Sequence, residues 1–183
     1  MRFEIKELQR RTGITVIYVT HDQEVALAIA DRMAILDSKG YIRQVGVPED
    51  VYKNPNDRYV YQFLGVSNFI PLDRSGDGYV IRDVEGAPRF PCDVPADLAA
   101  DGLYAACRPV DIRIGEGPVN GLVKHVVYLG NLFEYRVILG GREIRVQQDS
   151  HEAFAAGVPE EGRSYPMSFS NLRFYADEGR DAR

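Results

Sequence analysis

The 183-residue chain has no tryptophan, only two cysteines and no long apolar run. Cys92 and Cys107 lack the close spacing of paired metal ligands, so a structural zinc site is not predicted. We expect two free thiols in a reducing compartment, although the sequence leaves a disulfide between them open. No segment approaches the roughly 20 apolar residues that span a bilayer. The charged N-terminus also lacks the pattern of a secretory signal or a transit peptide.

Strong charge of either sign is also missing. The net charge is −5, and acidic and basic residues are mixed along the chain. A nucleic-acid partner needs a basic face, so we expect none. The one observation for the opposite view is Phe133, Tyr135 and Arg136, because aromatic rings and arginine can stack on bases. Hydrophobic content of 45% with 27% charged residues is typical of a globular protein, and the length allows one ordinary domain or two small ones.

The most informative stretch is residues 14–30, ITVIYVTHDQEVALAIA. Its β-branched apolar start predicts a buried strand over 14–20. Thr20 and Gln23 have capping-box spacing, and Asp22 can also cap a helix over 22–30. His21 would then lie at the carboxyl end of a core strand and beside a helix N-terminus. Open α/β sheets bind ligands at that edge, and helix N-termini favour anions.

His21 has two interpretations. Its imidazole can donate a hydrogen bond to a phosphate or orient a water, which suits a side chain that titrates near neutral pH. It can equally be a strand-end histidine whose nitrogens bind neighbouring carbonyl groups. An independent hydrolase built on His21 and Asp22 is disfavoured, because no nucleophile with a base in reach can be named.

Four segments resemble one known family. YVTHDQEVALAIADRMAIL resembles the switch-histidine segment of ABC transporter ATPases, and QVGVPEDVYKNPNDRYVYQFLGVSNF is similar to its continuation in importers of sulfate, ferric iron, polyamines and sugars. CRPVDIRIG and VNGLVKHVVYLGNLFEYRVIL resemble the TOBE module, a small barrel related to the oligonucleotide-binding (OB) fold. The family usually has Glu after Arg-Pro, whereas Val110 follows here and Asp111 comes one position later. Arg108 is therefore a candidate regulatory anion ligand or interface residue, although a structural salt bridge is the alternative.

Other parts of this family's nucleotide site are missing. No GxxxxGK[ST] loop is present to bind phosphates. The run ending at Asp37 mimics the family's magnesium-binding strand, but Ser38 follows where the family has a catalytic Glu. Gly140 and Gly141 join two alternating runs and predict a hairpin turn rather than a signature loop. We therefore expect the back portion of an importer ATPase, with no ATP hydrolysis by this chain alone and no metal site of its own.

The predicted fold class is α+β, with two domains. Residues 1–66 would be a remnant of the α/β nucleotide-binding domain, with a helix over 1–11, a hairpin over 32–45, a helix beginning at Pro48 and another capped by Asn56. Residues 67–183 would form an all-β, OB-like TOBE barrel. Its strands are predicted at 69–73, 79–82, 103–107, 111–114, 121–129, 132–139, 143–147, 165–169 and 172–175, with one helical turn at 151–156.

The resemblance implies a function for the longer protein. That protein would be the ATP-hydrolysing, energy-coupling subunit of a solute importer, peripheral on the cytoplasmic face of the membrane, and would use ATP and Mg²⁺. His21 would contact the γ-phosphate and help position the attacking water. The barrel would pair two copies into a homodimer that works with permease subunits and, indirectly, with a solute-binding protein. Ferric iron or an oxyanion such as sulfate is the expected cargo. The alternative is a stand-alone barrel that binds a small ligand or a protein.

Overall fold

The computed structural model describes residues 2–84, 87–98 and 102–176. Two compact units divide the chain, Met1–Gly65 and Val66–Arg183. The first unit holds most of the helices and the second most of the strands, so the predicted α+β class is confirmed. Met1 of the predicted first helix and residues 177–183 of the predicted second domain lie outside the described residues.

The first unit packs helices against a two-stranded hairpin. Its elements are α1 (Arg2–Thr12), α2 (Gln23–Ile29), β1 (Met33–Leu36), β2 (Ile42–Gly46), α3 (Pro48–Lys53) and α4 (Arg58–Phe63). The predicted hairpin is confirmed, since β1 and β2 pair in antiparallel register. One face of β1 is buried with α3 and α4, and the resulting core consists of Met33, Ile35, Val51, Val60 and Leu64.

The predicted buried strand over 14–20 is wrong. These residues have no strand partner and run as irregular chain between α1 and α2. Their side chains face solvent, with Ile17 88% and Val19 91% exposed. A parallel strand requires neighbouring strands, whereas the described part of this unit contains only β1 and β2, which pair with each other. The β-branched sequence therefore has the preference for a strand but no sheet to join.

The start of α4 differs from the prediction by one residue. Asp57, rather than Asn56, caps the helix by accepting a hydrogen bond from the Val60 amide at 2.9 Å. The same carboxylate accepts a second bond from the Arg43 guanidinium at 2.8 Å. Asp57 is favoured because one side chain closes the helix N-terminus and also binds the neighbouring hairpin.

The second unit consists mainly of two antiparallel sheets of four strands. Its strands are β3 (Asn68–Ser75), β4 (Gly78–Ile81), β5 (Gly102–Cys107), β6 (Ile112–Tyr128), β7 (Leu132–Leu139), β8 (Arg142–Asp149), β9 (Ser164–Phe169) and β10 (Arg173–Ala176). One sheet has the order β10-β5-β3-β4 and the other β8-β7-β6-β9. Short 3₁₀ turns cover Ala96–Leu98 and Pro109–Asp111, and the helix α5 spans Ser150–Ala156. The predicted strands are thus largely recovered.

Two predicted strands, 111–114 and 121–129, are one long strand in the structure. β6 pairs with β9 on both sides of an irregularity between Ile114 and Val119. Gly117 lies there with a φ of +122°, and a Cβ at this position would collide with the Met167 backbone. Glycine is therefore required for the strand to bend without losing its partner. The helix α5 also exceeds the single turn that was predicted at 151–156.

Asn68 connects the two sheets. Its side-chain amide donates to the Arg145 carbonyl at 2.7 Å, and its oxygen accepts from the Arg145 amide at 2.9 Å. β8 is an edge strand of its sheet, so the Asn68 side chain occupies backbone groups that a further strand would otherwise pair. The side chain is buried, and these two bonds satisfy its polar atoms.

Candidate functional site

His21 lies in a tight turn that leads into α2. The Thr20 hydroxyl accepts a hydrogen bond from the Asp22 amide at 2.9 Å, and the Asp22 carboxylate accepts one from the Val25 amide at 3.0 Å. Asp22 is therefore the cap of α2, as one of the two predicted alternatives had it, while Thr20 stabilises the preceding turn. His21 is exposed between these two residues. None of the described residues forms a hydrogen bond or an ion pair with its imidazole.

A largely apolar groove of about 810 Å³ opens beside this turn. Residues 15–23 line the groove together with residues of α1, α2 and β1. The charged and polar residues on its lining include Lys6, Gln9, His21, Asp22, Asp31 and Arg32. Apolar lining residues include Ile5, Val16, Ile17, Val19, Ile29 and Met33. The lining thus combines the His21 imidazole, two cationic and two acidic side chains with a large apolar surface.

This donor set does not fit Mg²⁺-ATP by itself. The described residues contain no group of three or more histidine, cysteine or acidic side chains that could hold a metal ion. The Asp22 carboxylate caps α2, and no glycine-rich loop is present to bind the phosphates. His21 can supply one hydrogen bond to a phosphate, so no hydrolytic step follows from the residues of this chain.

The two apparent motif matches have structural roles. Asp37 accepts hydrogen bonds from the Lys39 and Tyr41 amides at 2.9 and 3.0 Å, and so shapes the turn between β1 and β2. Gly140 and Gly141 form the predicted hairpin turn, since Leu139 and Arg142 face each other across β7 and β8. Both positions are thus explained by the turns that they form.

Arg108 is buried at the end of β5. Its guanidinium donates to the Ser67 hydroxyl at 2.6 Å and to the Val66 carbonyl at 3.3 Å. These bonds favour a structural role that fixes the start of β3. Binding of a regulatory anion at Arg108 stays a prediction.

Asp111, which the sequence marked only as the acid after Arg-Pro, binds two separate turns of the second unit. Its carboxylate accepts from the Arg108 amide at 3.2 Å and from the Asn171 side chain at 2.7 Å, while its carbonyl accepts from the Ser170 amide. Asn171 has a φ of +50°, a conformation that asparagine tolerates better than most residues. The acid after Arg-Pro therefore joins two turns of the barrel that are distant in the sequence.

A shallow groove of about 480 Å³ is lined by residues that include Asn171 and the half-buried Cys92.

An aromatic cluster lies where β6 turns into β7. Tyr128 and Phe154 contact Phe133 with ring centroids 4.9 and 5.2 Å apart. Tyr128 and Phe154 are more than half exposed, but Phe133 and Tyr135 are buried in the core. The rings of Phe133 and Tyr135 therefore cannot stack on bases, and they no longer support nucleic-acid binding.

Among the described residues, no helix has both the length and the apolar character to cross a membrane.

Comparisons with known proteins give one domain match and a set of similar sequences. Residues 105–171 match the TOBE domain. The chain is 38% identical over 146 residues to the spermidine/putrescine import ATP-binding protein PotA of Thermobifida fusca, which covers 75% of the chain and 38% of that protein. It is also 38% identical to the PotA proteins of Ruegeria pomeroyi and, as PotA 1, of Pseudomonas aeruginosa, over 86% of the chain and 45% of each relative.

The chain spans about two fifths of the length of these curated relatives. The matches extend over 146 to 169 residues, which is more than twice the length of the TOBE match. The similarity therefore includes residues outside the barrel. Each of the three relatives is an ATP-binding subunit of an importer, as the resemblance predicted. The chain carries a TOBE domain and is related to the C-terminal part of ABC importer ATP-binding subunits.

Proposed function

We propose that this chain supplies the switch-histidine segment and the regulatory barrel of the ATP-hydrolysing subunit of an ABC importer. The observation that supports this most directly is the extent of the similarity to the PotA proteins, which reaches well beyond the TOBE match. The first unit would be the end of the ATPase domain, and the second unit the regulatory barrel. This corresponds to the predicted domains 1–66 and 67–183.

His21 is the proposed contact to the terminal phosphate in the complete site. The exposed imidazole on the turn before α2 has no partner among the described residues, which leaves its nitrogens available. Phosphoryl transfer depends mainly on placement and charge stabilisation, so a single positioned hydrogen-bond donor can have a large effect. ATP and Mg²⁺ would be held mainly by residues outside this sequence, and we expect the chain alone to hydrolyse no ATP.

The proposed cargo is a polyamine. The named relatives import spermidine and putrescine, which favours a polyamine over the ferric iron or sulfate expected from the sequence. The subunit would work as a homodimer with membrane permease subunits and, indirectly, with a solute-binding protein. Its place would be the cytoplasmic face of the membrane.

The first test is the DNA sequence upstream of the Met1 codon. An open frame that encodes GxxxxGK[ST] and then an acidic strand ending in Asp-Glu would support the proposal. The encoded longer protein should hydrolyse ATP. His21→Ala should lower its turnover by about 100-fold with ATP binding retained, because positioned proton-transfer and hydrogen-bonding groups contribute 10²- to 10⁴-fold. His151→Ala, a change of the exposed histidine on α5, is the matched control and should leave turnover unchanged.

An immediate in-frame stop codon would contradict this proposal and leave the stand-alone binding barrel as the better account. Titration of small ligands in the absence of nucleotide would then be the next measurement. The cargo is tested separately by uptake of labelled spermidine and sulfate in cells that lack the gene. Loss of sulfate uptake with normal spermidine uptake would refute the polyamine assignment without affecting the role of His21.

A further inference from the structure

We infer that Thr20 is a positioning residue, whose hydroxyl fixes the turn that carries the His21 imidazole in the complete ATP site. The inference rests on the proposed function of His21 and extends it to a second side chain. Its basis is the hydrogen bond that the Asp22 amide donates to the Thr20 hydroxyl at 2.9 Å. Because this bond joins the residues on either side of His21, it sets the path of the backbone between them.

The residue after His21 has a defined place on α2. The Asp22 carboxylate accepts a hydrogen bond from the Val25 amide at 3.0 Å, and the Asp22 carbonyl accepts one from the Ala26 amide at 3.1 Å. These are the side-chain and backbone bonds of a helix cap. A group that binds the Asp22 amide is therefore held in place relative to the same helix.

The residue before His21 depends on its hydroxyl for this connection. Thr20 lies outside the helices and strands of the described chain, and the bond from the Asp22 amide is the only hydrogen bond that it forms with described residues. The bond joins positions two residues apart, so it is independent of what residues 14–20 contact in a longer protein. The Thr20 hydroxyl therefore closes the turn across His21 by local chemistry alone.

Phosphoryl transfer is sensitive to the placement that such a turn provides. A displacement of about 1 Å in a positioned group can lower a rate by about 100-fold. A hydrogen bond between neighbouring residues fixes where the His21 ring is attached and leaves both ring nitrogens available for a phosphate or a water. Serine can provide the same acceptor, whereas valine has a similar shape and lacks it.

Steady-state ATP hydrolysis by the longer protein tests the inference. Thr20→Val should lower kcat about tenfold and change the KM for ATP by less than about twofold, because it displaces His21 without removing a binding group. Thr20→Ser keeps a hydroxyl and should retain most of the rate. Thr12→Val is the matched control, since the Thr12 hydroxyl donates to the Leu8 carbonyl at 2.8 Å in α1, and it should leave kcat unchanged.

A double variant distinguishes positioning from a general structural role. If Thr20 acts through His21, Thr20→Val should cause no further loss of kcat in a His21→Ala background. Equal losses in both backgrounds, or an unchanged kcat in Thr20→Val alone, would overturn the inference and leave the role of His21 intact. Normal turnover in His21→Ala would instead refute the proposed function and the inference together.

Hydrogen exchange provides a second measurement, on the 183-residue chain itself and without ATP. The Asp22 amide should exchange slowly in the unchanged chain and in Thr20→Ser. It should exchange about fivefold faster in Thr20→Val, because its acceptor is lost. Equal exchange of this amide in the unchanged chain and in Thr20→Val would overturn the inference.

Discussion

Similar apolar sequences are buried in the second unit of this protein and exposed in the first. In β7, Phe133, Val137 and other alternate residues are buried, whereas the equally apolar residues 14–20 face solvent. Among the described residues, the core of the second unit contains nineteen buried residues and that of the first contains five. The comparison shows that a β-branched run is buried only where neighbouring strands are available within the unit.

The strand partners explain this difference. β7 lies between β6 and β8 and pairs with both along most of its length. Segment 14–20 has no such neighbours in the described part of the first unit. Exposed apolar side chains and open backbone groups are therefore concentrated in the first unit, next to the turn that carries His21. The strands of the second unit have partners within it, whereas segment 14–20 has none among the described residues of the first unit.

The largest expected effect tests the buried side of this comparison. Leu72→Ala should lower the free energy of unfolding by about 2–5 kcal/mol, because Leu72 is fully buried in the barrel core and its truncation leaves a cavity. Leu129→Ala, at a position 54% exposed, should change it by less than about 0.5 kcal/mol. Urea unfolding followed by circular dichroism measures both, and equal losses would contradict the assigned core.

The next effect concerns the bond between the two sheets of the barrel. Asn68→Ala should cost about 2–4 kcal/mol, because it removes two buried hydrogen bonds and leaves the Arg145 amide and carbonyl unpaired. Asn120→Ala, on an exposed position of β6, is the control and should have little effect. Urea unfolding of both variants checks this, and a neutral Asn68→Ala would show that the edge of β8 needs no cover.

A smaller effect distinguishes the two candidate caps of α4 in the first unit. Asp57→Ala should destabilise that unit by about 1 kcal/mol, because the Val60 amide and Arg43 lose their acceptor. Asn56→Ala should be close to neutral. Hydrogen exchange at the Val60 amide is the suitable measurement. Faster exchange in Asn56→Ala but not in Asp57→Ala would show that Asn56 is the cap, as the sequence predicted.

The smallest effect depends on pH. Burial raises the pKa of the Cys107 thiol to about 12, above its value in the unfolded chain. The folded state therefore holds a proton that the unfolded state releases, so stability falls as pH rises from about 9 towards 12. Between pH 9 and 10 the expected loss is below about 1.4 kcal/mol. Cys107→Ala should reduce this slope, and an unchanged slope would contradict a buried neutral thiol.

Much of the fold could be predicted from the sequence. The alternation in β7 and the Gly140-Gly141 turn were sufficient for the hairpin of β7 and β8. Pro48 and the acids after it likewise predicted the start of α3. The link from Asn68 to β8 could not be predicted, because 77 residues separate its partners and an isolated asparagine has no characteristic pattern.

The candidate site was predicted only in part. The role of Asp22 as a helix cap could be predicted from the local sequence, since the cap and the amide that it binds are three residues apart. The expected roles of His21 came from the family resemblance and stay proposals. The partners of Arg108 were open between a ligand and a structural contact, and only the folded chain brings its guanidinium to Ser67.

The sequence by itself determined the local features of this protein: turns, helix ends, the alternation of the barrel strands and the resemblance to importer ATPases. Those features depend on residues within a few positions of each other. The tertiary structure decided which apolar runs are buried, because burial requires partners from distant parts of the chain. Residues 14–20 have the composition of a core strand, but strand pairing depends on a neighbour, and the described part of the first unit provides none.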